Sequence, residues 1–252
     1  GGTTSSPDRT FTTAAPPRQE QCANAAIRTR QGLQASFPDC RAYELVSAFP
    51  AAERNNVDVV PNTQRVQAAT DGGAFEFSTF GGAADVRGTG AVTSYVSERE
   101  PGTGWTVHGI NPPQTSQRLI SFLYGGEASY VGEFTPSLSK GIFYSVSPVN
   151  AEGPNVSEIR NLYRREDVLR PGPGSYRLLS DSVIQQALGK LEEFRAVTLV
   201  AGSTDLSHVV FETQRDLTTE TVGLEEGWRV YEWVGGEVRL ASVLPASQGG
   251  GP

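Results

Sequence analysis

The sequence predicts an all-β chain built from repeated four-stranded antiparallel units. Three observations predict it. First, strand-like segments recur as RAYELVSAF, GWTVHGINPP, SYRLLSDSV and EVRLASVLP, with Tyr43, Trp105, Tyr176 and Val238 spaced by 62, 71 and 62 residues. Recurrence at such an interval marks a repeat architecture made of small sheets. Second, each unit holds four short runs, alternating or wholly apolar and rich in Val, Ile, Tyr, Phe and Trp. Third, the turns keep their chemistry from unit to unit.

Residues 1–21 are Gly, Thr, Ser, Pro and Arg with little apolar content, and they read as a flexible linker. Within them, Phe11-Thr12-Thr13-Ala14 has the pattern of a last strand from a preceding domain. The opening GGTTSSPDRTF and the complete lack of methionine suggest a piece of a longer, processed product. NAAIRTRQGLQASF then supplies about two helical turns between Cys22 and Cys40. These two cysteines, 18 residues apart, suit a disulfide in an exported protein, worth roughly 3 kcal/mol on the chain-entropy model. Two reduced cysteines of a cytosolic chain are the alternative. No histidine stands near enough in sequence to complete a metal-ligand set with them.

A leading strand is expected at 41–49, followed by units over about 64–113, 129–182 and 197–245 and a flexible tail at 247–252. The first runs QRVQAAT, AFEFSTF, TSYVSERE, WTVHGIN; the second ASYVGEF, GIFYSVS, NLYRRED, SYRLLSD; the third VTLVAGS, HVVFETQ, WRVYEWV, EVRLASV. The turn between first and second strands reads Thr70-Asp71-Gly72-Gly73, Thr135-Pro136-Ser137-Leu138-Ser139 and Ser203-Thr204-Asp205-Leu206-Ser207. Asp and Ser side chains there bond amides two residues on and fix a tight turn. The turn between third and fourth strands carries glycine: Gly102 and Gly104, Gly172 and Gly174, Gly235 and Gly236. One segment breaks the pattern. DSVIQQALGKLEEF sets Ile184, Leu188 and Leu191 on one helical face, with Asp181 or Ser182 as N-cap. A short helix there covers a sheet edge or rim, or takes a partner.

The net charge of −7 and scattered arginines, with lysine only at Lys140 and Lys190, argue against nucleic acid, whose phosphates need a clustered basic face. No apolar run approaches the ~20 residues of a membrane helix, so membrane insertion is not expected.

The stretch C-x-N-A-A-I-R-T…F-P-D-C-R-A-Y-E-L-V-S, from Cys22 to Ser47, resembles the head of a group of exported actinobacterial repeat proteins. Their bodies look like TolB-type or WD-type β-propellers. Thr204-Asp205-Leu206-Ser207-His208-Val209-Val210-Phe211 is similar to the S-P-D-x-S-x-x-V-F turn and strand of such blades. Val230-Tyr231-Glu232-Trp233, the following glycines and Arg239-Leu240 are similar to the L-Y-x-W-x-G-G-x-L-R-L strand pair; Asn161-Leu162-Tyr163 takes the same place in the second unit. The Phe11-Thr12-Thr13 tail is similar to the end of a fibronectin-type sandwich. The resemblance covers about residues 22–245 and implies an all-β, β-propeller-like repeat with a short disulfide-linked N-terminal segment and one short helix. It implies little about activity, because a propeller hosts many. Such rings usually close with six or more blades, whereas three units and one leading strand are counted. A missed blade, a fragment, or completion by other copies are the alternatives, and exposed sheet edges are expected otherwise.

Candidate chemistry is sparse. A Ser-His-Asp reading would need Asp205 to orient His208 and a serine to approach it; turn chemistry explains Asp205 and Ser207 equally, and no G-x-S-x-G elbow is present. His108 lies in a strand beside Trp105 and Val107. The carboxylate pairs Glu192/Glu193, Glu225/Glu226 and Glu98/Glu100 fit glycoside hydrolysis only if set 5–9 Å apart in a cleft, and all lie in hydrophilic segments. Gly88-Thr89-Gly90 and Gly172-Pro173-Gly174 lack the helix or G-K-[ST] of a phosphate cradle, and no calcium loop appears. Asn155-Val156-Ser157 is a formal glycosylation sequon. Of the strand aromatics Trp105, Trp228, Trp233, Tyr163, Tyr176 and Tyr231, most should be core, with Trp105, Trp228 and Trp233 as candidates for a sugar- or peptide-binding platform.

The expected function is therefore a secreted or cell-surface, non-enzymatic β-repeat module without cofactor or metal, binding an extracellular protein or glycan or assembling with itself through exposed edges and tails. An extracellular hydrolase acting on glycan or peptide, and a TolB-like protein-interaction scaffold, are the alternatives.

Overall fold

The computed structural model describes residues 22, 24–33, 42–47, 58–59, 66–80, 92–100, 104–112, 128–145, 149, 161–181, 197–223 and 227–242. The chain divides into two compact units, one comprising residues up to 45 together with 100–104, the other 46–99 with 105 onwards.

In the first unit, α1 spans Ala25–Gln31 and ends at Gly32, whose φ of 66° allows its amide to turn back to the Arg28 and Thr29 carbonyls. Arg28 and Arg30 in its last turn complement the helix dipole. This matches the two helical turns expected between the cysteines. The leading strand expected at 41–49 is corrected: residues 42–47 carry no strand. The Gln31 carboxamide has taken the ladder's place. Its Nε2 donates to the Tyr43 carbonyl at 2.7 Å and its Oε1 accepts from the Tyr43 amide at 3.0 Å. Asn24 Nδ2 also reaches Glu44 Oε1 at 2.8 Å. Cys40 and the helix expected around 182–194 lie outside the described residues.

The second unit holds three antiparallel sheets in chain order. The first combines β1 (Asp58–Val59), β2 (Gln67–Ala68), β3 (Ala74–Phe80), β4 (Val92–Glu100) and β5 (Gly104–Gly109). It has five strands but four positions, since β1 and β2 pair with opposite ends of β3. The second runs β6 (Ala128–Phe134), β7 (Gly141–Ser145), β8 (Asn161–Arg165) and β9 (Tyr176–Leu178). The third runs β10 (Thr198–Gly202), β11 (His208–Thr213), β12 (Arg229–Val234) and β13 (Glu237–Leu240). These are the three units expected from the sequence, and nearly every strand falls on its anticipated run.

What repeats most faithfully is a cross-strand aromatic pair. Phe77 opposes Tyr95, Phe143 opposes Tyr163, and Phe211 opposes Tyr231. Their rings stack at 5.8, 5.6 and 6.0 Å between centroids, a spacing that adds about 0.5–1.5 kcal/mol beyond area burial. The second and third pairs face the preceding sheet. Phe143 and Tyr163 share a core with Ala69, Ala74, Val96 and Ile110 of the first sheet. Phe211 and Tyr231 share one with Ile142, Leu162 and Leu179 of the second.

The turn between the first two strands of a sheet supplies the second repeated element. Leu138 and Leu206 adopt φ of 57° and 55° and are 0% and 1% exposed. Gly72 occupies the same turn position in the first sheet at φ 72°. In all three turns the amide at this position donates to the carbonyl three residues back, at 2.8–2.9 Å: Gly72 to Ala69, Leu138 to Thr135, Leu206 to Ser203. A left-handed leucine costs about 1–2 kcal/mol, which full burial of its side chain, at about 1.5–3 kcal/mol, offsets. Leu206 folds back so closely that a Cβ on Gly202 would stand 2.8 Å from its Cδ2, so a side chain at 202 would displace the buried leucine.

Polar links stitch the turns across the sheets. The Thr70 amide donates to the Pro136 carbonyl at 2.8 Å, and Gln67 Nε2 to the Thr135 carbonyl at 3.1 Å. One step along the stack, Arg164 Nη1 donates to the Leu206 carbonyl, and its guanidinium lies 4.7 Å from the Trp233 ring centroid. The Leu199 amide donates to Tyr144 Oη at 2.6 Å. Leu206→Ala should lower the stability to urea unfolding by roughly 2–4 kcal/mol, as a buried leucine truncated beside a well-packed core. A loss below about 1 kcal/mol would show that the turn leucine does not join the second and third sheets.

Candidate functional site

Side chains with chemical potential fall in three places: the interface of the first two sheets, the turn before β11, and the far face of the third sheet.

At the first interface, strand alternation aims Ala74, Glu76 and Ser78 of β3, and Ser94, Val96 and Glu98 of β4, at the second sheet. Glu76 stands at the position that Ile142 and Val210 fill in the other two sheets, directly before the repeated phenylalanine. It is 1% exposed, and its Oε2 is buried without a hydrogen-bond partner among the described residues. Desolvation raises its pKa from 4.5 to about 8, with the Ser78 hydroxyl pulling weakly the other way. Glu76 is thus a neutral acid at pH 7. Nearby, Ser78 and Ser94 hydroxyls meet at 2.9 Å, and Asn111 Oδ1 accepts from the Ser94 amide at 2.8 Å. His108 is buried on β5. Its Nε2 lies 3.1 Å from the Val168 carbonyl, which can only accept, so Nε2 carries the proton. Its Nδ1 is 4.0 Å from Glu98 Oε2. Arg165, 0% exposed, donates to the Ile110 carbonyl at 2.9 Å and the Arg170 carbonyl at 2.8 Å, with Asp167 Oδ1 at 3.3 Å from Nε. Glu76, His108 and Arg165 are buried here, while Glu98 and Asp167 are part-exposed.

In the turn before β11, Asp205 accepts from Ser203 Oγ at 2.7 Å, Ser207 Oγ at 2.8 Å and the Ser207 amide at 3.1 Å. The Ser203 hydroxyl, then that of Ser207, holds the carboxyl well below the usual carboxylate range. His208 is not oriented by Asp205. Its amide donates to Ser203 Oγ at 3.0 Å, while its ring turns to the far face of the sheet, where Nδ1 lies 2.8 Å from Glu232 Oε1. The Ser-His-Asp reading fails on this geometry: serine and aspartate are spent on each other and on the turn. The same turn in the second sheet replaces the acid with Ser137, whose hydroxyl donates to Ser139 at 2.9 Å.

The three tryptophans do not assemble into one platform. Trp233 is 5% exposed, in the core beneath Arg164; Trp105 is half-buried on β5; Trp228 is 52% exposed before β12. Of the tyrosines considered with them, Tyr163 and Tyr231 are core and Tyr176 packs its edge against Phe143 at 5.5 Å. Of the acidic pairs, Glu98 and Glu100 lie along β4, on the same side of the strand. Glu192, Glu193, Glu225, Glu226, Gly88, Gly90 and Asn155 lie outside the described residues. Gly172 and Gly174 shape the β8–β9 turn at φ 121° and 80°. Among the described residues, no group of three or more His, Cys, Asp or Glu side chains could hold a metal ion, and no helix is long and apolar enough to cross a membrane.

The far face of the third sheet is half-exposed. Val209, Phe211, Tyr231 and Trp233 point to the second sheet. Alternation therefore places His208, Val210 and Glu212 of β11, with Val230, Glu232 and Val234 of β12, on the other side, together with Glu237 and Arg239 of β13. His208 is 54% exposed there. Nothing in the sequence reading singled out this face. The signal was the equivalence of Val210 and Val230 with Ile142 and Leu162, which a sheet covers.

Family models, curated proteins and solved structures give no match to this chain.

A buried acid that stays protonated makes stability fall as pH rises. The folded state holds the Glu76 proton more tightly than the unfolded chain, so the stabilisation is complete below about 4.5 and is lost as pH rises through about 8. Urea unfolding should show a decline on the order of a few kcal/mol across this window. Glu76→Gln should flatten that part of the profile. An unchanged profile in the variant would assign the pH dependence to other groups.

Proposed function

We propose that this protein is a secreted or cell-surface, non-enzymatic β-repeat module that acts by binding and by association with further copies, on a β-propeller-like arrangement of its sheets. The observation that carries this is the half-exposed far face of the third sheet, where Val210, Val230 and Val234 are half-buried and His208 is exposed, whereas the equivalent faces of the first and second sheets pack on the next sheet. A half-exposed, partly apolar sheet face offers contact to a partner. Further support comes from the use of the polar groups. Asp205, Ser203 and Ser207 close a turn, His108 and Arg165 bond carbonyls between sheets, and Glu76 is sealed from solvent. None of these is placed to meet a substrate. Cys22 and Cys40 form a disulfide in this reading, consistent with export, and Trp228 is the one of the three candidate tryptophans exposed enough to serve a bound sugar or peptide.

Light scattering after gel filtration tests association directly. A particle heavier than the 27.0 kDa of one chain, growing in proportion with concentration across the micromolar range, is expected. A single-chain particle at every concentration, together with hydrolysis of a glycan or peptide substrate panel, would replace this reading with that of an extracellular hydrolase.

A further inference from the structure

The two joints between the sheets share a plan and differ in what fills it. At the second joint, the second sheet offers Ile142 and Leu162, both fully buried, to the core that holds Phe211 and Tyr231. At the first joint, the corresponding positions are Glu76 and Ser94, on the side of the first sheet that meets Phe143 and Tyr163. Glu76 Oε2 is buried and has no hydrogen-bond partner among the described residues. Gln67 of β2 and Val96 of β4 flank Glu76 in register, so the side from which water can reach it is the one the second sheet covers. The cation at this joint is committed elsewhere: Arg165 on β8 holds the Ile110 and Arg170 carbonyls and the Asp167 carboxylate. His108 on β5 holds the Val168 carbonyl, and Glu98, diagonal to Glu76 on β4, adds negative charge. The Tyr163 phenol is pushed above its ordinary 10.0 by burial and keeps its proton at neutral pH. A carboxylate formed at Glu76 is therefore stabilised by water or not at all.

We propose that Glu76 is the latch of a proton-operated joint: protonated, it keeps the first sheet on the second; ionised, it parts these two sheets while the second and third stay together. The opening is local and precedes unfolding of the chain, and it uncovers the Phe143 and Tyr163 rings. It does not depend on association with further copies. The closed joint holds the Glu76 proton more tightly than the open one, because burial raises the pKa from 4.5 to about 8. Opening is thus rarest below about 4.5, grows by about tenfold per pH unit between the two values, and levels off above about 8. The second joint lacks this sensitivity. Ile142 stands at the Glu76 position, and the polar links there are the Arg164 guanidinium on the Leu206 carbonyl and the Tyr144 hydroxyl on the Leu199 amide, none of which changes charge near neutral pH.

Two amides report the joints separately. The Thr70 amide donates to the Pro136 carbonyl across the first joint, and the Leu199 amide to Tyr144 Oη across the second. The decisive experiment is hydrogen exchange of the full chain at these amides as pH is raised from about 5.5 to about 7.5, corrected for the base-catalysed intrinsic rate. In the wild type, opening at Thr70 should grow on the order of a hundredfold over this range while opening at Leu199 stays level. Glu76→Gln and Glu76→Ile, neither of which ionises, should make the Thr70 amide independent of pH. Glu76→Ile supplies the residue that the second sheet carries at this position, so it keeps the test readable even if Glu76→Gln fails to fold. A parallel rise at Thr70 and Leu199 overturns the latch in favour of global unfolding. A rise at Thr70 that persists in the variants assigns the effect to other groups, such as His108 and Glu98, and overturns it too. No rise at Thr70 beyond the intrinsic rate also overturns it.

Discussion

The structure depends on how one β-sheet is made to sit on the next. A small sheet of two- to nine-residue strands cannot bury enough apolar surface alone, so each must borrow a face from its neighbour. Here the borrowing follows one scheme twice. A stacked Phe–Tyr pair in the two middle strands faces backwards, and a leucine forced to positive φ by the first turn fills the space beside it. The leucine's backbone cost is sustained only because its side chain is fully buried. Removing the neighbouring sheet would leave that cost uncompensated, which ties the turn conformation to the inter-sheet core.

The polar interactions follow from this scheme. Because the turns lie over the preceding sheet, their carbonyls must be satisfied across the interface, by the Thr70 amide and Gln67 at one step and by Arg164 at the next. Arg164 serves twice, bonding a turn carbonyl and covering Trp233 with a cation that its neighbour Glu166 balances at 2.7 Å. Glu76 is the exception. It stands where Ile142 and Val210 stand in the other sheets, and burial holds it neutral. A carboxyl at an aliphatic position weakens the first interface relative to the second once it ionises, so the two joints of the stack differ in their response to alkali.

Much of the fold was legible in the sequence because strand alternation and turn residues are local signals. The runs AFEFSTF, GIFYSVS and HVVFETQ fell where β3, β7 and β11 stand, and Asp71 and Asp205 closed the turns their types suggest. The leading strand at 41–49 was misread because ELV alternates like a strand, while the two-point clamp from Gln31 on Tyr43, which satisfies the backbone without a ladder, depends on helix geometry that alternation does not encode. The candidate site was far less legible. Trp233 and Trp228 look alike as strand-edge aromatics, and which is buried depends on the side of the pleat that meets the preceding sheet. Likewise, His208 beside Asp205 in sequence suggested a catalytic pair, but the strand pleat sends the ring to the opposite face and to Glu232. The Phe and Tyr common to all three units were visible, yet their pairing needed the β-register to be seen.

Native-state hydrogen exchange resolved by residue tests most directly whether the shared cores bind the sheets into one cooperative body. If they do, the amides of β7, β8, β11 and β12 will exchange through a common opening with a single free energy, and urea will lower all four alike. If β11 and β12 open at distinctly lower free energy while β7 and β8 stay protected, the second and third sheets are independent, and the leucine turn with its aromatic pair is not what holds the stack together.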